Sequence, residues 1–163
     1  MDEINIRFAT EDDWAAIAEA EAMCFSESER AEGAAIKERL AKFADCFLLL
    51  FCGGRLAAYI DGAASDRRDL TDDMFSSADC HDENGHWQFV YGLGVVPDFR
   101  GRGFAEALVR GFCDLAKRRK KLGVVLTCKP KLVPFYSKFG FKDEGVCPSS
   151  HGGAVWHQMR MTF

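Results

Sequence analysis

The sequence predicts a mixed α/β domain in which helices flank a sheet that contains an antiparallel hairpin. Apolar residues alternate with polar ones, or run continuously, in several short segments typical of strands, and they recur at helical spacing elsewhere. The two-glycine turn Gly53-Gly54 separates two strand-like segments, as in an antiparallel hairpin. With 163 residues, 48% of them apolar, the chain can bury one core but is too short for two ordinary domains. Residues 1–163 are therefore predicted to form a single domain.

The first third of the chain predicts two helices and three strands. Thr10-Glu11-Asp12-Asp13 resembles a capping box, in which side chains satisfy the free amides at the start of a helix. In chain order the predicted elements are a strand at Ile4–Phe8, a helix with Trp14, Ile17, Ala18 and Ala22 on one face, a helix marked by Ile36, Leu40 and Phe43, and a hairpin of strands Cys46–Cys52 and Arg55–Ile60.

The segment Ala63–Asn84 is polar, rich in Asp and Ser, and has no apolar period, so we predict a long loop. Loops beyond about 12 to 15 residues are uncommon in compact domains and are often functional. This loop is therefore expected near a substrate entrance, while a solvated insertion without a role explains the same composition.

One continuous strand is predicted next. It carries Trp87, Phe89, Tyr91, Leu93 and Val95 on one face and Gly92 and Gly94 on the other, where a cofactor could approach the backbone closely. The following helix ends in the basic run Lys117–Lys121, which complements the helix dipole or contacts a nucleotide phosphate. The remaining elements are the apolar helix stripe Phe104, Leu108, Phe112, Leu115 and Ala116, a stop at Gly123, an apolar run at Val124–Thr127, and closing strands at Phe141–Cys147 and Ala154–Thr162.

The turn between that strand and its helix is the most informative segment. Arg100, Gly103 and Ala105 fit the pattern Arg/Gln-x-x-Gly-x-Gly/Ala. Its glycines let the backbone approach a pyrophosphate, and the helix that follows adds free first-turn amides and the positive end of its dipole. Two other phosphate signatures are absent. There is no Walker A motif, and Glu106 stands where a dinucleotide fingerprint needs a third small residue.

A second motif follows at Leu132-Val133-Pro134-Phe135-Tyr136-Ser137-Lys138-Phe139-Gly140-Phe141. Together the two motifs resemble the GNAT superfamily of N-acetyltransferases, which carries a pyrophosphate turn, a strand and a short helix with Phe-Tyr-x-x-x-Gly-Phe in this order. The sequence Leu-Val-Pro-Phe-Tyr most resembles that of the serotonin (arylalkylamine) N-acetyltransferase-like members. The resemblance implies a strongly curved, mixed but mostly antiparallel sheet that is flanked by helices, splays at one parallel strand pair and opens a cleft for acetyl-CoA.

The resemblance also implies the site residues. Tyr136 would be the general acid, since a phenol stays protonated at neutral pH and can protonate a departing thiolate; the alternative is that it only packs against the pantetheine. An amide near Leu93 would stabilise the oxyanion. Pantetheine and pyrophosphate contacts would come from Leu93, Gly94, Val95, Arg100, Gly101, Arg102, Gly103, Phe104 and Ala105.

The general base is not evident from the sequence. The serotonin N-acetyltransferases carry two histidines where Phe89 and Tyr91 stand here, and many other members carry a glutamate at the position of Tyr91. His86, Asp61, His151 or a chain of water molecules remain as alternatives. Phe25, Phe89, Tyr91 and Trp156 are candidates for an aromatic acceptor pocket, although core packing explains them equally well and is the preferred explanation for Phe25.

Charge and cysteine content limit the partners. A net charge of -4 disfavours a nucleic-acid surface and suits a cationic or neutral substrate. The seven cysteines form no Cys-x-x-Cys pair and suggest a reducing compartment, and the acidic N-terminus lacks the features of a signal peptide. No apolar run approaches the roughly 20 residues of a membrane span. We therefore expect a soluble cytoplasmic protein without a metal, and a homodimer by analogy with the superfamily.

The combined prediction is acetyl-CoA-dependent N-acetylation of a primary amine, by direct attack in a ternary complex. The preferred acceptor is a small arylalkylamine or a polyamine, because acidic residues are frequent in and beside the predicted loop. One alternative is acetylation of a protein N-terminus or lysine, which needs an open acceptor groove. The other is an acyl-CoA-binding sensor that has lost catalysis, since the base is missing.

Overall fold

The computed structural model describes residues 2–163. Helices and strands alternate along them, and none of these helices is long and apolar enough to cross a bilayer. The helices are α1 (Trp14–Cys24), α2 (Gly33–Phe43), α3 (Asp72–Ser76), α4 (Phe104–Arg118) and α5 (Val133–Ser137). The strands are β1 (Ile4–Phe8), β2 (Phe47–Cys52), β3 (Arg55–Asp61), β4 (Ala64–Ser65), β5 (Trp87–Val90), β6 (Gly92–Val95), β7 (Gly123–Cys128), β8 (Lys142–Val146) and β9 (His157–Thr162).

The strands form two sheets that separate between β5 and β6. The first sheet is antiparallel and has the order β1-β2-β3-β6, and the second has the order β4-β5-β7-β9-β8 with one parallel pair, β5 and β7. β5 and β6 follow one another in the chain, yet β5 pairs with β7 whereas β6 pairs with β3. A cleft therefore opens between β6 and the end of β7. This arrangement confirms the predicted mixed, mostly antiparallel sheet that splays at its one parallel pair.

Helices cover both faces of the first sheet. α4 packs against β2 and β3 with its apolar stripe, and Leu108 and Phe112 are almost completely buried there. α1 packs against β3 and β6 on the opposite face, toward which Tyr59 projects. Burying a large apolar side chain of this kind contributes about 1.5 to 3 kcal/mol, so the two helices hold the sheet from both sides.

The chain reaches α1 through the predicted capping box. Asp13 accepts a hydrogen bond from the Thr10 backbone N–H at 2.7 Å and two more from the Arg7 guanidinium at 2.9 Å each. The predicted hairpin turn is also present, with φ angles of 59° at Gly53 and 82° at Gly54. Left-handed values at both positions favour glycine and fix the register of β2 and β3.

The prediction of one continuous strand from Trp87 to Val95 is wrong. The strand breaks at Tyr91, whose N–H donates to the Asp61 carbonyl at 2.7 Å, and the residues on either side pair with different neighbours. Phe89 lies in a small cluster with Leu70, Met74 and Val125, whereas Leu93 and Val95 border the main core. Alternating apolar residues continue across the break because both halves are strands, so the pattern does not reveal the change of partner.

The prediction that Ala63–Asn84 is a long loop is also wrong. The segment contains β4, α3 and a 3-10 turn at Ala78–Cys80. Met74 and Leu70 are buried against Phe89. Elements of two, five and three residues are too short to show an apolar period, which is why the sequence pattern missed them. α3 nevertheless borders the second cavity described below.

Candidate active site

A groove of about 450 Å³ lies where β6 and the turn before α4 face α5. Seven of the nine predicted cofactor-binding residues line it, and Gly94 and Arg102 do not. The complete lining of the groove consists of Leu93, Val95, Phe99, Arg100, Gly101, Gly103, Phe104, Ala105, Glu106, Leu132, Phe135 and Tyr136.

The turn at the end of this groove presents free backbone amides. Gly101 and Gly103 both have φ of 80°, a conformation that glycine adopts without strain. Among the described residues, no acceptor takes a hydrogen bond from the amides of residues 101–105. α4 begins at Phe104, so its positive end faces the same groove. This turn has the chemistry of a phosphate site and fits the diphosphate of coenzyme A.

The free edge of β6 lies along the groove. The Val96 N–H donates to the Ala57 carbonyl, and hydrogen-bonded positions alternate along an antiparallel pair. The backbone groups of Gly94 therefore face β3, and those of Leu93 and Val95 face the groove. The Arg100 Nε already donates to the Val95 carbonyl at 3.0 Å. Leu93 and Val95 thus present the strand edge predicted to bind pantetheine, whereas Gly94 does not.

The glycines of β6 have a different structural cause from the predicted one. A Cβ at Gly94 would lie 2.8 Å from the Tyr59 ring, and a Cβ at Gly92 would lie 3.1 Å from the Asp61 Oδ1. The close approach comes from side chains of β3 on the α1 side, not from the groove. The two glycines therefore make room for Tyr59 and Asp61.

The Arg102 side chain points away from the groove. Its guanidinium lies over the Phe99 ring at 5.5 Å and donates to the Cys52 Sγ at 3.8 Å. Its predicted contribution to cofactor binding therefore reduces to its backbone amide.

A second cavity of about 350 Å³ adjoins the groove. Its walls come from α1, the link between α1 and α2, α3, the split at Tyr91, and the segment before β9. The polar and aromatic side chains that line it are Glu21, Phe25, Glu29, Arg30, Glu32, Arg39, Asp72, Phe75, Ser76, Tyr91, Thr127, Tyr136, Ser149, His151 and Trp156. We refer to it as the acceptor pocket.

Aromatic rings form one wall of the acceptor pocket. Ring centroids are 5.1 Å apart between Tyr91 and Phe75, 5.7 Å between Phe75 and His151, and 5.9 Å between His151 and Trp156. The structure therefore brings the predicted residues Tyr91 and Trp156 together in this pocket. It does not bring Phe89, which is completely buried beside Val125 and faces away from the cavity.

Tyr136 lies at the junction of the two cavities. It lines both of them, as do Leu93 and Leu132, so a group placed at this point is accessible from either side. α5 holds the ring between Phe135 and Phe141, with centroid distances of 5.0 and 5.9 Å. Burial raises the pKa of the Tyr136 phenol above its usual range, and the neighbouring Cys128 adds to the effect. The phenol is therefore protonated throughout the physiological pH range.

The three proton acceptors considered from the sequence occupy very different positions. His86 is exposed, bonded to Asp66 at 2.5 Å, and lines neither cavity. His151 lines the acceptor pocket, but its Nε2 lies 2.8 Å from the Glu29 carbonyl. Asp61 is buried next to the pocket and pairs with Arg39 at 3.4 Å. Sequence reasoning missed Glu21, which lines the pocket directly; its signal was a carboxylate one turn after the buried Ile17 of α1.

Gly101→Ala is expected to weaken coenzyme A binding by about tenfold. An alanine Cβ costs roughly 1 to 2 kcal/mol in the left-handed conformation, and relief of that strain rotates the amides that face the groove. Isothermal titration with coenzyme A measures the change.

Gly54→Ala is the matched control, because Gly54 has nearly the same φ and, like Gly101, open space around its Cβ position. It lies in the β2–β3 hairpin and should lose similar stability with unchanged affinity. Equal affinities in both variants would contradict a phosphate site at the turn.

Comparisons with known proteins agree with this geometry. The sequence model of the Acetyltransferase (GNAT) family matches residues 14–141. Serotonin N-acetyltransferase from Mesocricetus auratus is 32% identical over 111 residues, which are 68% of this chain and 52% of that protein. Glucosamine 6-phosphate N-acetyltransferase from Trypanosoma brucei brucei is 35% identical over 48 residues, which are 29% of this chain and 33% of that protein.

Solved structures show the same fold. The loading GNATL domain of CurA from Lyngbya majuscula superimposes with a TM-score of 0.86 over 98% of both chains, at 14% identity. The chain spans about half the length of the serotonin N-acetyltransferase that it matches. Since the family model covers most of the chain and the fold agrees, this chain belongs to the GNAT acetyltransferase family.

Proposed function

We propose that the protein transfers the acetyl group of acetyl-CoA to the primary amine of a small, positively charged acceptor. The observation that carries the proposal is the meeting of two cavities at Tyr136, Leu93 and Leu132. One cavity ends in a phosphate-binding turn, and the other carries carboxylates and aromatic rings. A thioester held in the groove therefore meets an amine held in the acceptor pocket.

The geometry supports direct attack in a ternary complex. The neutral amine attacks the thioester carbon, and an outward-facing amide of β6, that of Leu93 or Val95, stabilises the oxyanion. When the carbon–sulfur bond breaks, the Tyr136 hydroxyl gives its proton to the thiolate. The phenolate then takes back a proton from the acylated nitrogen, so that Tyr136 ends the cycle in its starting state.

The acceptor pocket favours a small amine over a protein. The Ser149 hydroxyl donates to Asp72 at 2.5 Å, and the His151 ring bonds the Glu29 carbonyl at 2.8 Å. These contacts join the segment before β9 to α3 and to the α1–α2 link, and they roof the pocket. A peptide acceptor needs an open groove at this place, so protein N-acetylation is the less favoured alternative.

The lining chemistry supports an arylalkylamine, with a polyamine as the second candidate. The aromatic wall of Tyr91, Phe75, His151 and Trp156 offers ring faces to an aryl group. The carboxylates of Glu21, Glu32 and Asp72 attract the ammonium group of either acceptor. We further propose a reducing, cytoplasmic location, which the seven free thiols of the chain support.

A thiol-release assay with acetyl-CoA tests the proposed function. The panel contains arylalkylamines, polyamines, an aminosugar phosphate, and peptides with a free N-terminus or lysine. Turnover is expected first with arylalkylamines, because they fill the aromatic wall and place the ammonium near Glu21. Turnover with peptides alone would overturn the acceptor class. Binding of coenzyme A without turnover of any amine would leave only an acyl-CoA sensor.

A further inference from the structure

Two buried acidic side chains lie at the inner end of the acceptor pocket. Glu21 is 6% exposed and comes from α1, and Asp61 is 2% exposed and comes from the end of β3. Their oxygens approach the same point above β6, since a Cβ at Gly92 would lie 3.1 Å from the Asp61 Oδ1 and 3.5 Å from the Glu21 Oε1. Glycine at this position keeps the space in front of both groups open.

Glu21 is held by hydrogen bonds to both of its oxygens. The Tyr59 hydroxyl donates to Oε1, and the Ala31 backbone N–H donates to Oε2 at 2.6 Å. Burial raises the pKa of the Tyr59 phenol, and the Glu21 carboxylate raises it further, so this hydroxyl remains a donor. Each Glu21 oxygen keeps a further lone pair for a ligand, and Glu21 lines the pocket whereas Asp61 lies behind it.

Asp61 has a different partner and a raised pKa. Its Oδ2 lies 3.4 Å from the Arg39 Nη1, and Arg39 also lies under the Tyr91 ring at 5.0 Å. Burial raises the pKa of Asp61 to about 7, opposed by Arg39 and reinforced by Glu21. At neutral pH Asp61 therefore carries a proton for much of the time. Of the two acids, Glu21 is the one that faces the pocket, and two hydrogen-bond donors hold it there.

We propose that Glu21 is the general base, which takes the proton from the ammonium group of the acceptor before attack, and that Tyr59 positions it. The inference rests on the proposed acetyl transfer and deepens it. Glu21 and Tyr136 line the same cavity, so an ammonium group in it is accessible to Glu21 and lies on the path to a thioester held beside Tyr136.

The protons taken up and released balance when Glu21 is the base. One N–H bond of the ammonium breaks and its proton forms an O–H bond on Glu21, which gives the neutral amine. Tyr136 donates one proton to the thiolate and recovers one from the acylated nitrogen. The proton on Glu21 then leaves to solvent through the pocket, so each turnover releases one proton in total.

Glu21→Gln should lower kcat/KM at pH 7 by about 10²- to 10⁴-fold, the range for loss of a general base. The variant depends on amine that is already neutral in solution. Its log kcat/KM should therefore rise by one per pH unit up to the pKa of the free amine, and its deficit against wild type should shrink over that range. A merely structural defect gives a deficit that does not change with pH.

The charged and titratable groups around Glu21 bear on this pH profile. Asp61 and Tyr59 face it from β3 and Cys24 from its own helix, and Arg39 on α2 pairs with Asp61. Glu29, Arg30 and Glu32 line the same pocket. Glu21→Gln removes one of the charges that raise the pKa of Asp61, so the Asp61 titration moves to lower pH in the variant. A slope of one that continues up to the amine pKa therefore distinguishes loss of the base from a change in this neighbour.

Three further measurements decide the assignment. Glu19→Gln, on an exposed position of the same helix, is the matched control and should leave kcat/KM unchanged. An alkoxyamine acceptor, which is neutral at pH 7, should react with Glu21→Gln at nearly the wild-type rate. Glu21→Asp retains a carboxylate and should keep the wild-type shape of the profile at reduced rate.

Equal rates of wild type and Glu21→Gln with an alkylamine at pH 7 would overturn the role of Glu21 while acetyl transfer stands. A deficit as large for the alkoxyamine as for the alkylamine would also overturn it. Failure of the wild type to acetylate any amine is a different outcome, because it removes the proposed function itself. Titration of Glu21→Gln with coenzyme A should give the wild-type affinity. This measurement distinguishes loss of the base from damage to the cofactor groove.

Discussion

Replacing Tyr136 by phenylalanine is expected to lower kcat about 10²-fold or more, because the departing thiolate loses its proton donor. The ring remains, so packing against Phe135 and Phe141 is kept. Among the described residues the Tyr136 hydroxyl forms no hydrogen bond, so its removal leaves no protein group unsatisfied. Affinity for coenzyme A and thermal stability should therefore stay close to those of the wild type.

Steady-state kinetics and a thermal melt of Tyr136→Phe separate the two roles considered for this residue. A phenol that only packs against pantetheine predicts a small change in kcat and a change in the KM for acetyl-CoA. An unchanged kcat would remove Tyr136 from the mechanism. The proposed role also predicts that the rates of the wild type and of Tyr136→Phe differ less with an acyl thioester whose thiol is more acidic. A thiolate of that kind leaves without first taking up a proton.

Gly62→Ala is expected to reduce the free energy of unfolding by about 3 kcal/mol or more, the largest stability effect among these variants. Gly62 follows β3 where the two sheets separate, and a Cβ there would lie 1.8 Å from the Phe89 carbonyl oxygen. The atom it meets is backbone, so β5 must move as a whole. Such a movement also displaces Tyr91 and the wall of the acceptor pocket.

Gly111→Ala is the same substitution at a position where we expect the opposite effect, a gain in stability. Gly111 lies inside α4, and its Cβ position is 3.5 Å from the Leu48 Cδ1, an ordinary contact. Alanine favours a helix interior over glycine by about 0.8 to 1 kcal/mol, so this variant should be more stable than the wild type. Urea unfolding of both variants measures the difference, and similar stability changes in the two would contradict the close approach of the Gly62 backbone to β5.

The turn before α4 and the proposed general acid Tyr136 could be located from the sequence because both depend on local chemistry. Gly101 and Gly103 are needed for a turn that only glycine adopts easily, and Tyr136 lies in a short motif of recognisable order. Residues of this kind keep their spacing along the chain in the folded protein. Seven of the nine predicted cofactor residues accordingly line one groove.

The acceptor side could not be located in the same way because it is assembled from distant segments. Glu21, Phe75 and His151 meet only after α1, α3 and the segment before β9 have packed together. Phe89 and Tyr91 are two positions apart in the sequence, yet the break between β5 and β6 sends one into the core and the other to the pocket. The alternation of apolar and polar residues does not change where a strand changes its pairing partner at one residue, so it could not reveal this break.

The distribution of charge around the acceptor pocket has a consequence for turnover. Glu29 is paired with Lys129, and the carboxyl groups of Glu21, Glu32 and Asp72 outnumber the two guanidinium groups at the lining, which leaves an acidic excess there. An acetylated amine no longer carries the positive charge that this excess attracts. If the acceptor is the ammonium compound proposed above, we expect the pocket to bind it more tightly than its acetylated product, so that the chemical step promotes release.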